Sequence, residues 1–396
     1  MTIYLDISAA VHRRAGLGRY AESLARALLS QLTNLPTYQS PNLPISQSTN
    51  LAFFYNREAG IEPLAGLEHI PAHTISLGYK PWRMAVWAGQ VAGIGFNRLV
   101  PGATLFHAAE HLLLPLRGVP TVLTVHDLIF RRYPQHHKPL NRWYLNATLP
   151  LYCRRADHII AVSEQTKRDV MAAYGVPADK ISVIYEAADA RFRPQPAEAV
   201  AEVRARYRLP DRYLLFVGTI EPRKNLGRVL AAFERLHAEG LTDALVIVGK
   251  RGWLYDDFFA RLEQSPVKRA VLFPGFVPDA DLPAIYAGAQ ALAFPSEFEG
   301  FGLPVLEAMA CGAPVVCSNS SSLPEVAGDA ALRVDPADTD AITAALRRVV
   351  ADADLAAELA RRGVAQAARF SWQRAAAETL AVYWQLIGDA RVPLHP

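Results

Sequence analysis

Short runs of apolar residues recur along the whole chain, separated by stretches with helical periodicity. The runs are continuous rather than alternating with polar residues, which is typical of parallel strands that are buried on both faces. Helices that connect such strands form βαβ units, so the pattern predicts doubly wound parallel sheets of the α/β class. The runs lie at Ile3–Leu5, Ala52–Tyr55, Thr121–Val125, His158–Val162, Ile181–Tyr185, Tyr213–Val217, Ala244–Val248, Ala270–Phe273, Ala289–Phe294 and Pro314–Cys317.

The chain has 396 residues, of which 51% are hydrophobic, and this is enough for two or three domains. The stretch Glu186–Pro196 follows a predicted strand and ends in Arg193-Pro194-Gln195-Pro196, which favours neither helix nor strand. We therefore expect one domain over residues 1–188 and a second over residues 189–370.

Two further segments can be interpreted from their patterns. Residues Ser30–Asn50 are uncharged and rich in Pro, Asn, Gln and Ser, so we expect a surface loop. A last helix is predicted to begin near Ser371, with Gly388 as a plausible stop. It carries one apolar stripe, formed by Trp372, Ala376, Leu380, Tyr383 and Ile387.

The composition excludes several classes of protein. No run of 18 apolar residues occurs, so no membrane-spanning helix is expected, and Met1–Asp6 reads as a first strand rather than a signal peptide. The cysteines Cys153, Cys311 and Cys317 have no metal-binding spacing, which favours reduced thiols in the cytoplasm.

The two halves of the chain differ in charge. Residues 1–185 contain 18 Lys and Arg against 11 Asp and Glu, whereas the remainder contains 23 against 27. A basic first half suggests a polyanionic or membrane-surface partner, although a chance split between two domains gives the same numbers.

A glycine-rich stretch, Gly16–Ala21, fits the dinucleotide-binding pattern G-x-G-x-x-G/A. In a nicotinamide-dependent oxidoreductase this pattern directly follows the first strand, and an acidic residue about 20 positions later holds the ribose. Here Gly16 lies nine positions after Ile7, and no Asp or Glu occurs between Glu22 and Glu58, which argues against an oxidoreductase. What remains is either a flexible glycine loop that opens a helix and approaches an anion, or an ordinary tight turn.

Two adjacent cations, Arg223 and Lys224, follow the predicted strand Tyr213–Val217 and precede a helix. Ligands of open α/β sheets lie beyond the carboxyl ends of the strands. A guanidinium offers a bidentate fork and an ammonium a compact charge, so the pair is suited to a diphosphate. The alternative is a solvated basic loop.

Two carboxylates, Glu299 and Glu307, flank the stretch Gly-Phe-Gly-Leu-Pro after the predicted strand Ala289–Phe294. Pro304 fits the first position of a helix, and Gly312 fits its end. Glycines before a helix expose backbone amides, which bind anions. The two carboxylates can accept hydrogen bonds from ribose and sugar hydroxyls, whereas the alternative is a solvated acidic face.

Together, Gly218–Leu226 and Glu299–Glu307 resemble glycosyltransferase family 4, whose members retain anomeric configuration and have the GT-B fold. That resemblance implies two Rossmann-like domains that face each other across a cleft, with the segment 371–396 crossing back as a helix to the first domain. It also implies that residues 1–188 bind the acceptor and residues 189–370 the nucleotide sugar. The stretch Glu186–Asp189 departs from the family, in which many members have Asn-Gly-Val-Asp, and this affects the expected hinge.

By the resemblance, His126 and Glu299 are the catalytic residues, with His126 beside the reacting sugar. Arg223 and Lys224 would hold the donor diphosphate, while Glu307 would bind the ribose and Glu299 the sugar. The implied donor-binding set is Gly16, Gly18, Arg223, Lys224, Val277, Glu299, Phe301, Gly302, Leu303 and Glu307, with Val277 bordering the base and amides of Gly302 and Leu303 on the phosphate.

The expected reaction is transfer of a hexose from a nucleotide-sugar donor, with no other cofactor. No Asp triad or His cluster marks a metal site in the sequence, so we expect no obligatory divalent ion. His126-Asp127-Leu128 and Glu221–Asn225 are similar to bacterial mannosyltransferases of polysaccharide assembly, which favours GDP-mannose as donor. Alternatives are a UDP-sugar donor, a sugar-nucleotide-binding protein without turnover, and a GT-B epimerase or phosphorylase, although no pyridoxal-phosphate lysine site is identifiable.

A glycan, carried on a lipid diphosphate at the inner face of the cytoplasmic membrane, is the expected acceptor. Arg131–Arg155 contains six Lys or Arg with interleaved aromatic residues, and neither this stretch nor Pro71–Thr104 contains an acidic residue. Such a surface suits anionic headgroups, which predicts peripheral membrane association. The alternative is an apolar stripe that packs inward beside solvated cations. Nothing resembles a base-reading module, so no nucleic-acid partner is expected. The predicted apolar stripe on this surface consists of Met84, Trp87, Val91 and Ile94.

Overall fold

The computed structural model describes residues 1–34 and 49–389. The chain divides into two compact units. Residues Ile129–Pro139, which the sequence analysis placed in the first domain, belong to the second unit. The first unit comprises Met1–Leu128, Leu140–Glu186 and the segment from Trp372 onwards, and the second comprises Ile129–Pro139 and Ala187–Ser371.

A seven-stranded sheet forms the centre of the first unit. Its strands are β1 (Thr2–Asp6), β2 (Asn50–Asn56), β3 (Ala72–Ile75), β4 (Ala103–Ala108), β5 (Thr121–Val125), β6 (His158–Ala161) and β7 (Ile181–Val183). Their order is β3-β2-β1-β4-β5-β6-β7, and every neighbouring pair is parallel. The chain therefore winds outwards from β1 in one direction and from β4 in the other.

The second unit is built on a six-stranded sheet whose strand order also runs outwards in both directions from one central pair. Its strands are β8 (Tyr213–Val217), β9 (Ala244–Val248), β10 (Val271–Leu272), β11 (Ala291–Phe294), β12 (Val315–Ser318) and β13 (Leu332–Val334). The order is β10-β9-β8-β11-β12-β13, again with parallel pairs throughout. All residues of β8, β9, β11 and β12 are buried, as their continuous apolar runs predict.

Helices and short 3-10 turns connect the strands. In chain order the helices are α1 (Ser8–Val11), α2 (Ala15–Asn34), α3 (Tyr79–Ala92), α4 (Ile129–Arg132), α5 (Pro139–Arg155), α6 (Glu164–Tyr174), α7 (Ala197–Tyr207), α8 (Leu226–Ala238), α9 (Asp256–Gln264), α10 (Leu282–Ala287), α11 (Leu303–Ala310), α12 (Leu323–Ala327), α13 (Thr339–Ala351), α14 (Ala353–Ala367) and α15 (Trp372–Asp389). The 3-10 turns lie at Asn97–Leu99, Pro134–His136, Ala178–Lys180, Pro222–Lys224 and Lys268–Ala270.

Two parallel doubly wound sheets confirm the fold class expected from the apolar runs. Every predicted apolar run overlaps a strand, but three strands of the structure lie outside the predicted runs. β3 and β13 are short edge strands, of which β3 has no fully buried residue and β13 only one, so they lack a continuous apolar run. β4 carries His107, which is buried because its ring bonds Tyr383 and Thr124.

The final helix is α15, which packs against α2 in the first unit. It begins at Trp372, one residue after the predicted start, and continues through Gly388, so the predicted stop at that glycine is wrong. The predicted loop Ser30–Asn50 is also corrected at its ends, because Ser30–Asn34 belong to α2 and Asn50 to β2. The rest of that prediction, residues 35–48, lies outside the described residues.

Within the described ranges, no helix is both long and apolar enough to span a bilayer. The three cysteines are buried free thiols. Across the same ranges, no group of three or more His, Cys, Asp or Glu side chains is arranged to hold a metal ion.

Candidate active site

Ligands of doubly wound sheets bind beyond the carboxyl ends of the strands, at the point where the strand order changes direction. In the second unit this point lies between β8 and β11, and in the first unit between β1 and β4. The predicted residues Arg223 and Lys224 follow β8, and Glu299 follows β11. The sheet of the second unit therefore brings these three side chains to one place.

Glu299 is a buried carboxylate that accepts hydrogen bonds from two side chains and forms an ion pair with a third. Its Oε1 accepts from Lys224 Nζ at 2.6 Å and from the Ser296 hydroxyl at 2.6 Å. Its Oε2 lies 2.9 Å from Arg223 Nη1. The side chains of Arg223, Lys224 and Glu299 are only 12%, 9% and 10% exposed, so the charges interact with little solvent screening.

The charges of this group fix its protonation. Burial alone would raise the pKa of Glu299, but the guanidinium of Arg223 and the ammonium of Lys224 lower that pKa to about 2. Burial lowers the pKa of Lys224, and the charge of Glu299 opposes this effect. Glu299 is therefore ionised at neutral pH and faces two cations.

A second carboxylate, Glu221, completes the ion-pair group. It pairs with Arg223, and its Oε2 is buried without a hydrogen-bond partner. Arg223 also donates to the carbonyl of Phe298 at 2.5 Å, which ties the turn after β8 to the loop after β11. Two carboxylates thus balance two cations in this group.

The helix after this loop, α11, begins with unusual backbone geometry. Gly302 precedes it with φ +117°, and a Cβ there would lie 2.5 Å from Leu323 Cδ2. The Ser322 hydroxyl contacts the carbonyls of Glu299 and Phe301 at 3.0 and 2.7 Å. Pro304 has no N–H, and the amides of Val305 and Leu306 donate to the carbonyl of Gly302. The amide of Leu303 is therefore the first-turn donor that no bond within the helix uses, and such an amide at a helix start can bind an anion.

Three other predicted residues of the second unit are placed differently. Glu307 lies inside α11, is 1% exposed, and its Oε2 accepts from the Tyr286 hydroxyl at 2.9 Å. The Phe301 ring is buried against Phe370, so this residue presents its backbone rather than its ring to the loop. Val277 is half-buried, beyond β10. Pro304 is the second rather than the first residue of α11, and the helix ends before Gly312 as predicted.

In the first unit, His126 follows β5 and is 6% exposed. Its backbone N–H donates to His111 Nε2 at 3.0 Å, and its carbonyl accepts from Thr166 Oγ1 at 3.0 Å. The ring packs edge-on against Tyr20 of α2, with centroids 4.7 Å apart. The residue is therefore held by three different elements of the unit.

The glycines of the predicted loop, Gly16 and Gly18, lie inside the first turn of α2, so the expectation of a flexible loop is wrong. At Gly18 a Cβ would lie 2.7 Å from the carbonyl oxygen of Ala9, whereas at Gly16 it would meet nothing within 4 Å. Gly18 is required because α2 starts close against α1, not because the backbone must bend.

Sequence reasoning missed several residues of these sites. Glu221 and Ser296 bond the predicted side chains, and Glu186 lies 3.2 Å from His126 Nδ1. Each follows a predicted strand directly or within a few residues. That position was the available signal, but the partner of each depends on which strands are neighbours.

Residues 51–192 match the model of glycosyltransferase family 4, and residues 201–366 match that of glycosyl transferases group 1. The chain is 37% identical over 281 residues to O-antigen chain mannosyltransferase B of Escherichia coli. This match covers 70% of this chain and 74% of that protein. The chain belongs to glycosyltransferase family 4. The transferase is also 32% identical over 275 residues to serotype-specific mannosyltransferase WbdA of Escherichia coli, but that match spans only 33% of WbdA.

Among solved structures, sucrose-phosphate synthase from Thermosynechococcus elongatus superposes with a TM-score of 0.77 at 20% identity. The match covers 98% of the transferase and 100% of that chain. This confirms the GT-B fold that the resemblance implied. As a member of this family the protein is an enzyme that moves a sugar from a nucleotide-sugar donor to a glycan acceptor.

Proposed function

We propose that the transferase moves mannose from GDP-mannose, with retention of configuration, to a lipid-diphosphate-linked glycan in bacterial surface polysaccharide synthesis. The observation that carries the proposal is the buried group of Arg223, Lys224 and Glu299 at the strand-order change of the second unit. Two cations suit a diphosphate, and a carboxylate suits sugar hydroxyls. Mannose is favoured because the relatives described above are named mannosyltransferases.

The chemistry needs negative charge to be stabilised on the leaving diphosphate. Arg223 and Lys224 supply fixed positive charge in a buried environment, where such interactions are strong. The amides of Gly302 and Leu303 add the partial positive charge of a helix start. We propose that these groups suffice for transfer without an obligatory divalent ion, with Glu299 accepting from the sugar and Glu307 from the ribose.

His126 is proposed to act by position. Its backbone carbonyl, oriented by Thr166, can stabilise positive charge that develops on the sugar. A donor phosphate oxygen can itself take the proton of the acceptor hydroxyl, so the reaction does not require this residue as a base. Gly16 and Gly18 remain proposed donor contacts in the first turn of α2. Val277 is proposed to border the base of the donor nucleotide.

The experiment that tests this function measures donor binding and product stereochemistry together. GDP-mannose should raise the melting temperature more than UDP-glucose, and NMR of the product should show the anomeric configuration of the donor. Activity should persist in EDTA. A shift with UDP-sugars alone would replace the donor assignment, while an inverted product, or activity restored only by manganese, would overturn the mechanism.

Two alternatives are separated by the same assays. A UDP-sugar-dependent transferase of this fold would respond to UDP-sugars in the melting experiment and still give product. A sugar-nucleotide-binding protein without turnover would show a melting shift but neither transfer nor hydrolysis of the donor. The complete set of Arg223, Lys224 and Glu299 favours an enzyme over the second alternative.

An exposed apolar face on α3 and α5 supports the membrane part of the proposal. Val91 and Leu140 are 65% and 75% exposed, and an edge-to-face contact between Trp87 and Trp143 joins the two helices. In contrast, Gln90 of α3 is buried. The expected apolar stripe therefore faces outwards and not towards the sheet. We define the α3–α5 face by the exposed large residues Met84, Val91, Leu140 and Trp143 of these helices, together with Ile94, which follows the end of α3.

No acidic residue occurs in α3 or α5, and Lys80 and Arg142 lie on these helices. Apolar burial combined with attraction to anionic lipid gives reversible binding at a bilayer surface. Arg131 and Arg132 belong to the second unit, so the basic stretch of the sequence is divided between the units. We propose that the α3–α5 face associates peripherally with the inner face of the cytoplasmic membrane, where a lipid-linked acceptor would be found.

A further inference from the structure

Both ring nitrogens of His126 face hydrogen-bond acceptors. Nδ1 lies 3.2 Å from Glu186 Oε1, and Nε2 lies 3.0 Å from the carbonyl oxygen of Ala109. A neutral imidazole has one N–H and satisfies only one of two acceptors, whereas an imidazolium donates to both. The surroundings of the ring therefore select its charged form.

Glu186 is placed to balance that charge. The side chains of His126 and Glu186 are 8% and 6% exposed, so water compensates neither of them. A buried charge without a partner is costly, and a buried pair is retained when its hydrogen bonds are satisfied. Glu186 is also the first residue of the stretch in which this sequence departs from the family pattern.

Two neighbouring histidines carry no charge. Burial lowers the pKa of His107 to about 3 and that of His111 to about 4. Burial acts on His126 in the same direction, but the hydrogen bond and the charge of Glu186 outweigh it and raise the pKa of His126. The positive charge of these three histidines resides on His126.

The other groups that face His126 leave this assignment unchanged. Asp127, the next residue, favours the charged ring electrostatically. From α2, Tyr20 presents its ring edge, and its hydroxyl bonds Thr124; burial raises the pKa of Tyr20, so it is neutral. From α6, the Thr166 hydroxyl donates to the carbonyl of His126.

We propose that Glu186 is a positioning residue that holds His126 as an imidazolium. The two N–H groups of this imidazolium donate to the loops after β4 and β7 and so connect both loops to the end of β5. The two N–H bonds fix the backbone at residue 126, whose carbonyl Thr166 orients. An imidazolium has no lone pair to accept a proton, so the ring is excluded as a general base. Only the effect on turnover rests on the proposed function, whereas the protonation state does not.

The first test measures the ring directly. Nitrogen-15 NMR of labelled enzyme distinguishes an imidazolium, whose two nitrogens resonate close together, from a neutral ring, whose nitrogens are widely separated. The His126 signals are assigned by their loss in His126→Gln. We expect the charged form at neutral pH and a titration midpoint above the ordinary value of about 6.5. In Glu186→Gln the midpoint should fall, and in Glu186→Asp, which keeps the carboxylate, it should stay raised relative to Glu186→Gln.

The second test measures kcat against pH. Loss of a hydrogen bond between charged groups corresponds to roughly a tenfold fall in kcat for Glu186→Gln, with little change in donor KM. The fall should increase as the pH rises towards the wild-type titration midpoint, because the neutral His126 ring is populated at lower pH in Glu186→Gln than in the wild type. Glu186→Asp should recover part of the activity. Glu68→Gln, an exposed carboxylate of the same unit, is the matched control and should leave both readouts unchanged.

A neutral His126 ring in the wild-type enzyme at pH 7 would overturn the proposal. So would a His126 titration that is identical in the wild type and Glu186→Gln. If the enzyme shows no transfer at all, the NMR result still decides the assignment, and the failure concerns the proposed function. If Glu186→Gln does not fold, Glu186→Asp and the wild-type titration still decide it.

Discussion

At the scale of single residues, Glu299 is a carboxylate that contributes to stability through its buried ion pairs and that we propose to bind the donor sugar. It accepts hydrogen bonds from Lys224 and Ser296, forms an ion pair with Arg223 and is buried with both cations. In a buried pair the removal of one partner leaves the other charge uncompensated, at a cost of about 3–5 kcal/mol. Substitutions in this group should therefore lower stability as well as impair the proposed reaction.

We expect Glu299→Ala and Lys224→Ala to abolish transfer and to lower the free energy of unfolding by about 3–5 kcal/mol each. Denaturant unfolding gives the stability, and product formation at a temperature where circular dichroism shows folded protein gives the activity. Glu263→Ala is the matched control, because Glu263 forms an exposed pair with Lys268 that contributes at most about 1 kcal/mol. Substantial turnover by either folded variant would remove that residue from the site.

At the scale of elements, the position of α11 depends on one glycine. Gly302 has φ +117° and lies so close to Leu323 that a side chain would displace α12 or the loop. Gly312, after the other end of the same helix, has φ +76°, but a Cβ there would meet only Val364 Cγ2 at 3.9 Å. The two glycines share positive φ and differ in the space around them.

We expect Gly302→Ala to lose donor binding, because the clash moves the amides at the start of α11. Gly312→Ala should cost only about 1–2 kcal/mol of stability, from its strained backbone, and should bind the donor normally. Isothermal titration with the nucleotide sugar compares the two variants. Equal donor affinity in both would show that the start of α11 does not contribute to binding.

Elements with continuous apolar runs could be predicted, since burial on both faces of a parallel sheet leaves a clear pattern. β4 was missed because His107 interrupts its run, and only the bonds to Tyr383 and Thr124 make that histidine acceptable in the core. Arg223 and Glu299 were found because each follows a strand. Their ion pair could not be predicted, because the adjacency of β8 and β11 is a property of the sheet and not of the local sequence.

At the scale of the whole molecule, the basic first half has a structural counterpart in the α3–α5 face. The exposed residues of this face are large and apolar, and Lys80 and Arg142 lie on the same helices. Each cation contributes about 1 kcal/mol near an anionic membrane. Apolar contact and charge should therefore act together.

We expect the enzyme to float with vesicles that contain phosphatidylglycerol and less with phosphatidylcholine alone, and added salt should weaken the binding. Lys80→Glu with Arg142→Glu should weaken it by roughly tenfold or more, and Leu140→Gln with Trp143→Gln should weaken it on both vesicles. Lys268→Glu, an exposed charge reversal in the second unit, is the control. Equal recovery with both vesicle types, or none with either, would contradict membrane association through this face.

The first unit is assembled from three separate pieces of chain, and the last of them is α15. Its Tyr383 hydroxyl bonds the His107 ring at 2.5 Å in the core, across 276 positions of sequence. During synthesis this unit cannot close when its strands leave the ribosome, because its final helix is translated only after the entire second unit. The second unit can therefore complete itself first, while the surface that α15 will cover on the first unit is still open.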